Sequence, residues 1–119
     1  MMEIFNRVTF WDRVDGDEEL LVELLQTFME YTPHQLQEIH RALEAGDALR
    51  LQGQAHSLKG AAASISADAL KEAAWQLELA GQNGELDQAR SLVGTLSREF
   101  DRLKEVLDNP AGCGISWKS

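Results

Sequence analysis

Leu51-Gln52-Gly53-Gln54-Ala55-His56-Ser57-Leu58-Lys59-Gly60-Ala61-Ala62-Ala63-Ser64-Ile65 places apolar side chains at 51, 55, 58, 62 and 65, a 4-3-4-3 spacing. Steps of three and four return to one stripe of an α-helix, and this rhythm is that of a helix packed lengthwise in a bundle. The other positions are unusual. Gly53 and Gly60 stand inside the helix, where each glycine costs about 1 kcal/mol relative to alanine. His56 and Lys59 are one turn apart, so they share a face beside the apolar stripe. Gln52, Gly60 and Ala63 fall on the same side, with Gly53 on its flank. Two helix-interior glycines so close together point to a surface kept clear for something that must approach. We read Gln52, Gly53, Gly60 and Ala63 as a platform on which another protein reaches the imidazole.

Outward from this helix the same periodicity continues. Towards the C-terminus, Ser66 reads as the N-cap of a helix from Ala67 to about Gly81, with Leu70, Ala73, Ala74 and Leu77 inward. Asn83-Gly84 is a turn signal. From Glu85 to about Leu107, Leu86, Ala89, Val93, Leu96, Phe100, Leu103 and Leu107 repeat at 3-4-3-4-3-4 spacing. Towards the N-terminus, Asp17 to Ala45 carries Leu21, Leu25, Phe28, Leu36, Ile39 and Leu43, widened by Leu20, Leu24 and Met29. Asp17 is a fair N-cap, with Glu18 and Glu19 in the first turn, where the helix dipole favours negative charge. Thr32-Pro33 marks a joint, because proline lacks a backbone donor and disfavours helix at the residue before it. The segment is thus one long helix or two nearly collinear ones, closed by Gly46 as a C-cap glycine. Residues 4–14 predict a short amphipathic helix with a heavy apolar face at Phe10 and Trp11.

The expected fold is all-α: an antiparallel up-down-up-down four-helix bundle with an additional short N-terminal helix covering one end. Residues 1–107 form the single expected domain, and 108–119, containing Cys113 and Trp117, read as a tail or linker.

Composition narrows the function. The 119 residues carry a net charge of −9, which argues against nucleic acid or an anionic membrane as the main partner. No apolar run is long enough to span a membrane, and the first residues lack a signal peptide's pattern. One cysteine leaves no disulfide framework and no thiolate cluster. His34 and His40 are six apart, which does not put them on one helical face, so metal ligation is not expected. The many carboxylates read as solvated outer faces. Trp11 and Trp75 read as packing residues, although the aromatics of the N-terminal helix are candidates for a docking patch. The expectation is a monomer of cytoplasmic type.

What remains is His56 with Lys59. A neutral imidazole is a good nucleophile, and an exposed one is largely neutral at pH 7. Once phosphorylated it carries close to two negative charges, which a lysine one turn away is placed to offset. Phosphoryl transfer asks chiefly for positioning and charge neutralisation.

Ala55-His56-Ser57-Leu58-Lys59-Gly60 resembles the signature of the histidine-containing phosphotransfer (HPt) domains of bacterial and fungal phosphorelays. The likeness continues through Gly16-Asp17-Glu18-Glu19-Leu20-Leu21, Ala45-Gly46-Asp47 and Ala73-Ala74-Trp75-Gln76-Leu77-Glu78, and covers roughly residues 4–107. The resemblance implies that His56 accepts a phosphoryl group from a receiver-domain aspartate and passes it to another receiver in a multistep phosphorelay. It implies that Lys59 supports the phosphate and that Gly60 permits close docking. It further implies a carrier without autokinase activity, with no cofactor of its own and with Mg2+ held by the receiver. One departure stands out: Ser66-Ala67 replaces the family's frequent glycine-alanine. With serine sound as a helix start, the departure touches the geometry of that loop and not the chemistry. Two alternatives accompany this reading. One is the phosphoacceptor domain of a chemotaxis-type histidine kinase, phosphorylated directly by an ATP-binding domain. The other is a helical bundle that binds a receiver without phosphotransfer.

Overall fold

The computed structural model describes residues 2–108. Five α-helices follow one another: α1 (Arg7–Arg13), α2 (Glu18–Glu44), α3 (Ala48–Ser64), α4 (Asp68–Gln82) and α5 (Leu86–Asp108). No strand occurs among the described residues. Side-chain bonds from Gln35 to Gln54 and from Arg50 to Glu38 make α2 and α3 antiparallel, since numbers rise on one helix as they fall on the other. Glu78 opposite His56 and Gly81 opposite Ala48 do the same for α3 and α4. The Phe28 and Phe100 rings, 6.5 Å apart, join α2 to α5. The expected all-α bundle is therefore present. Its 41 Å long axis matches the roughly 40 Å length of a 27-residue helix such as α2.

The stripes of α3, α4 and α5 are buried as their spacing demands, Leu86 only in part. Leu51, Ala55, Leu58 and Ala62 of α3 are fully buried, as is Leu77 of α4, and Ala89, Val93, Leu96, Leu103 and Leu107 of α5 are buried with them. Asp17 and Asp47 cap α2 and α3, accepting from the Leu20 and Arg50 amides. α1 lies over one end: the Asn6 amide donates to the Ser66 carbonyl, the Ala69 amide donates to the Glu3 carbonyl, and Phe10 is fully buried.

Three expectations are corrected: the inward residues of α2, the extent of α1 and the role of Ser66. Of the two alternatives for the second helical segment, one long helix is the one formed: α2 runs unbroken through Pro33. Leu21, Leu25, Phe28, Thr32, Gln35, Ile39 and Ala42 are buried in a continuous 4-3-4-3-4-3 series in which two polar residues hold core positions, and Leu43 is buried beside Ala42. Leu36, expected inward, is only half-buried, and Leu20 is exposed. Thr32 donates its hydroxyl to the Phe28 carbonyl, and Pro33 lies on the exposed side. A break at the proline would shift one half of this stripe against the other, so packing along both halves overrides the local preference.

α1 starts only at Arg7, capped by the Asn6 side chain, and its exposed residues include Val8 and Trp11. Trp11 and Trp75 are each 43% exposed, so neither is a core residue.

The third correction concerns Ser66. It caps nothing: α4 begins at Asp68, and its N-cap, Ala67, makes no side-chain cap bond. Instead Ser66 adopts φ +59° and terminates α3. Its amide donates to the Ala63 carbonyl, and that of Ala67 donates to the Ala62 carbonyl. This is the Schellman pattern, whose left-handed residue is usually glycine. Gly46 and Gly84 fill the equivalent place after α2 and α4, at φ +68° and +70°. The Ser66 hydroxyl is buried and meets no partner among the described residues.

Finally, Asp108 still belongs to α5; the rest of the expected tail, with Cys113 and Trp117, lies outside the described residues.

Candidate functional site

His56 is carried by the middle of α3, between residues that cannot move. Ala55 and Leu58 are fully buried on either side of it, while the His56 side chain is 67% exposed. The helix thus grips the base of the imidazole in the core and presents its ring to solvent. Around it the surface is bare: an added Cβ at Gly53 or at Gly60 would meet nothing within 4 Å. Ala63 and Gln52 are half-buried. The Gln52 backbone lies against Gly81 of α4, so this residue also serves the helix contact.

Lys59 follows one turn later and is less exposed than His56, at 29%. It does not touch the histidine directly in any bond; the two are joined by a third residue. Glu78 of α4 reaches across with both carboxylate oxygens. Its Oε2 lies 2.7 Å from His56 Nδ1, and its Oε1 accepts from Lys59 Nζ at 2.6 Å. The hydrogen bond from Lys59 holds the Glu78 carboxyl below its ordinary range; burial pushes the other way, and the bond to His56 adds to the lowering. An ionised carboxylate only accepts hydrogen bonds, so Nδ1 of His56 carries the proton in this contact. In the neutral ring that leaves the lone pair on Nε2.

The residues singled out in the sequence are thus gathered on one exposed side of α3. Glu78 was not among them. The carboxylates as a group read as solvated, whereas this one is only 14% exposed and is bonded to both site residues. One signal would have found it. His56 stands ten residues before Ser66 and Glu78 twelve after it, so an antiparallel pair of helices turning at Ser66 places them nearly opposite. His34 and His40, by contrast, are exposed on α2 and take no part in the site.

Comparison with known proteins identifies a family for the chain as a whole. The family model of the Hpt domain matches residues 23–106. The phosphorelay intermediate protein rdeA of Dictyostelium discoideum is 25% identical over 105 residues, which cover 88% of this chain. The chain spans only 41% of the length of that relative. Among solved structures, the crystal structure of histidine-containing phosphotransfer protein B from Pseudomonas aeruginosa superposes with a TM-score of 0.81 at 30% identity, covering 87% of this chain and 90% of the other.

Proposed function

This chain belongs to the Hpt domain family and is a histidine phosphotransfer module, and on that premise we propose that His56 is its phosphoryl acceptor. The donor is an aspartyl phosphate on a receiver domain. The bond from phosphorus to the aspartate oxygen breaks, its electron pair returning to the carboxylate, and a bond from phosphorus to an imidazole nitrogen forms. Transfer onward to a second receiver reverses these steps. Lys59, one turn from His56, supports the charge of the phosphoryl group. The chain acts as a carrier without autokinase activity, and Mg2+ belongs to the receiver's side of the complex. Gly60 and Gly53 leave the space into which the receiver's surface descends, and Ala63 and Gln52 border it.

The observation that carries this reading is the contrast along three residues of α3. His56 is 67% exposed, while Ala55 and Leu58 beside it are inaccessible. A nucleophile fixed at its root and open at its tip needs no cleft of its own, because the partner provides the walls. This arrangement suits transfer between proteins. The test is incubation with a phosphorylated receiver, which is expected to yield an acid-labile, alkali-stable phosphoprotein. His56→Gln is expected to abolish labelling; a variant labelled as well as the parent overturns the assignment.

A further inference from the structure

We propose that the C-terminal segment 109–119 folds back along α5 and fills the groove between α4 and α5, with Ile115 and Trp117 as its apolar anchors. The inference stands apart from the phosphoryl chemistry, since none of His56, Lys59 and Glu78 lines this groove.

The groove has a volume of about 470 Å³. Ile4, Ala69, Ala73 and Leu92 give it an apolar lining, and Met2 beside them is 53% exposed. The N-terminal segment is held against α4 there by the bond from the Ala69 amide to the Glu3 carbonyl. Of the charged members, Arg102 pairs with Glu99 at 3.1 Å, so Glu72 gives the lining a net negative charge. An apolar surface gains by being covered, and an aromatic side chain covers more of it than any other.

The segment that follows α5 has the pattern and the length to do this. Asn109-Pro110-Ala111-Gly112 carries asparagine, proline and glycine at the first, second and fourth places, the preferences of a type I turn. Such a turn reverses the chain directly beyond Asp108, the last residue of α5. In Cys113-Gly114-Ile115-Ser116-Trp117 larger apolar residues alternate with small ones, so an extended chain puts 113, 115 and 117 on one side.

The lengths agree. From Gly112 to Trp117, five extended steps cover about 17 Å. From Asp108 back to Glu99, nine helical steps cover about 14 Å. Trp117 therefore arrives at the level of Glu99 and Thr95, both of which line the groove. Lys118, the one charged side chain of 109–119, brings a positive charge to the negative lining. A segment tethered at the end of α5 meets the groove at an effective concentration on the order of millimolar, which a second copy does not reach in dilute solution.

The test reads Trp117 in the full chain. Subtracting the fluorescence of Trp117→Phe from that of the parent isolates its emission from those of Trp11 and Trp75, and the same subtraction is made in each groove variant. Every variant is first shown to be intact by circular dichroism and by parental labelling with phosphoramidate, a small phosphoryl donor. The Trp117 emission is expected to be blue-shifted, shielded from acrylamide and unchanged on dilution. Thr95→Arg, which fills the groove from α5 with a long cationic side chain, is expected to shift it to that of tryptophan in water. Thr95→Ala is expected to keep the parental emission. A water-like emission in the parent overturns the inference and leaves the groove to a small ligand or another protein. A shielded Trp117 that Thr95→Arg leaves unmoved also overturns it, since the segment then docks elsewhere. So does shielding that is lost on dilution, with a dimer in sedimentation equilibrium, because a second copy then fills the groove.

Discussion

Gly60 and Gly81 are both glycines inside helices of the same hairpin, and their surroundings are opposite. A Cβ at Gly60 would meet nothing within 4 Å. A Cβ at Gly81 would stand 3.1 Å from the Gln52 amide nitrogen and 3.2 Å from the Ala48 carbonyl oxygen. Gly81 thus lets the backbone of α4 lie against that of α3, and this close approach brings Glu78, one turn earlier, within reach of His56. Gly60 lets nothing within the molecule come closer. The lesson is that a glycine's helix cost of about 1 kcal/mol is offset at Gly81 by internal packing, while at Gly60 no contact among the described residues requires it.

The contrast can be broken experimentally. The largest effect on stability is expected for Gly81→Leu. The side chain would meet backbone atoms, which cannot rotate aside, so the loss is about 3 kcal/mol, the upper part of the usual overpacking range. Urea denaturation measures it. Unchanged stability would show that the helices need not approach so closely. Gly60→Leu is expected to do the reverse: the fold stays intact and gains up to about 1 kcal/mol from helix propensity. Transfer from a phosphorylated receiver falls at least tenfold, while labelling by phosphoramidate continues at the parental rate. Equal transfer from both donors would remove Gly60 from the docking surface.

The smallest expected effect comes from the third left-handed helix end. Gly46 and Gly84 take φ +68° and +70° freely, whereas Ser66 takes +59° with a Cβ and a buried, unpartnered hydroxyl. A residue with a Cβ pays about 1 kcal/mol or more for that conformation. Ser66→Gly is therefore expected to stabilise the domain by about 1 kcal/mol in the same urea measurement. A loss of stability would mean that the hydroxyl is bonded after all.

Much of this was readable in advance, and the failures have particular causes. The inward positions of α3, α4 and α5 followed from spacing alone, because three-and-four periodicity is a property of the helix itself. In α2 the reading faltered at Thr32 and Gln35, since polar residues in core positions interrupt an apolar count although the helix continues beneath them. α1 begins at Arg7 and not at residue 4, and of the two aromatics credited with its apolar face Phe10 is buried while Trp11 remains exposed. Ser66 was misread because serine suits a helix start, and only the turn's hydrogen bonds reveal that it ends the preceding helix.

From its sequence alone, then, this protein is determined to be a helical bundle presenting His56 and Lys59 beside a stripe of small residues. These are local matters, decided within a few turns of one helix. Only the tertiary structure decided that Glu78, twenty-two residues from His56, bonds to both His56 and Lys59. The physical reason is register. The offset between α3 and α4 depends on the turn at Ser66 and on the backbone contact at Gly81, and neither is expressed in the periodicity of either helix.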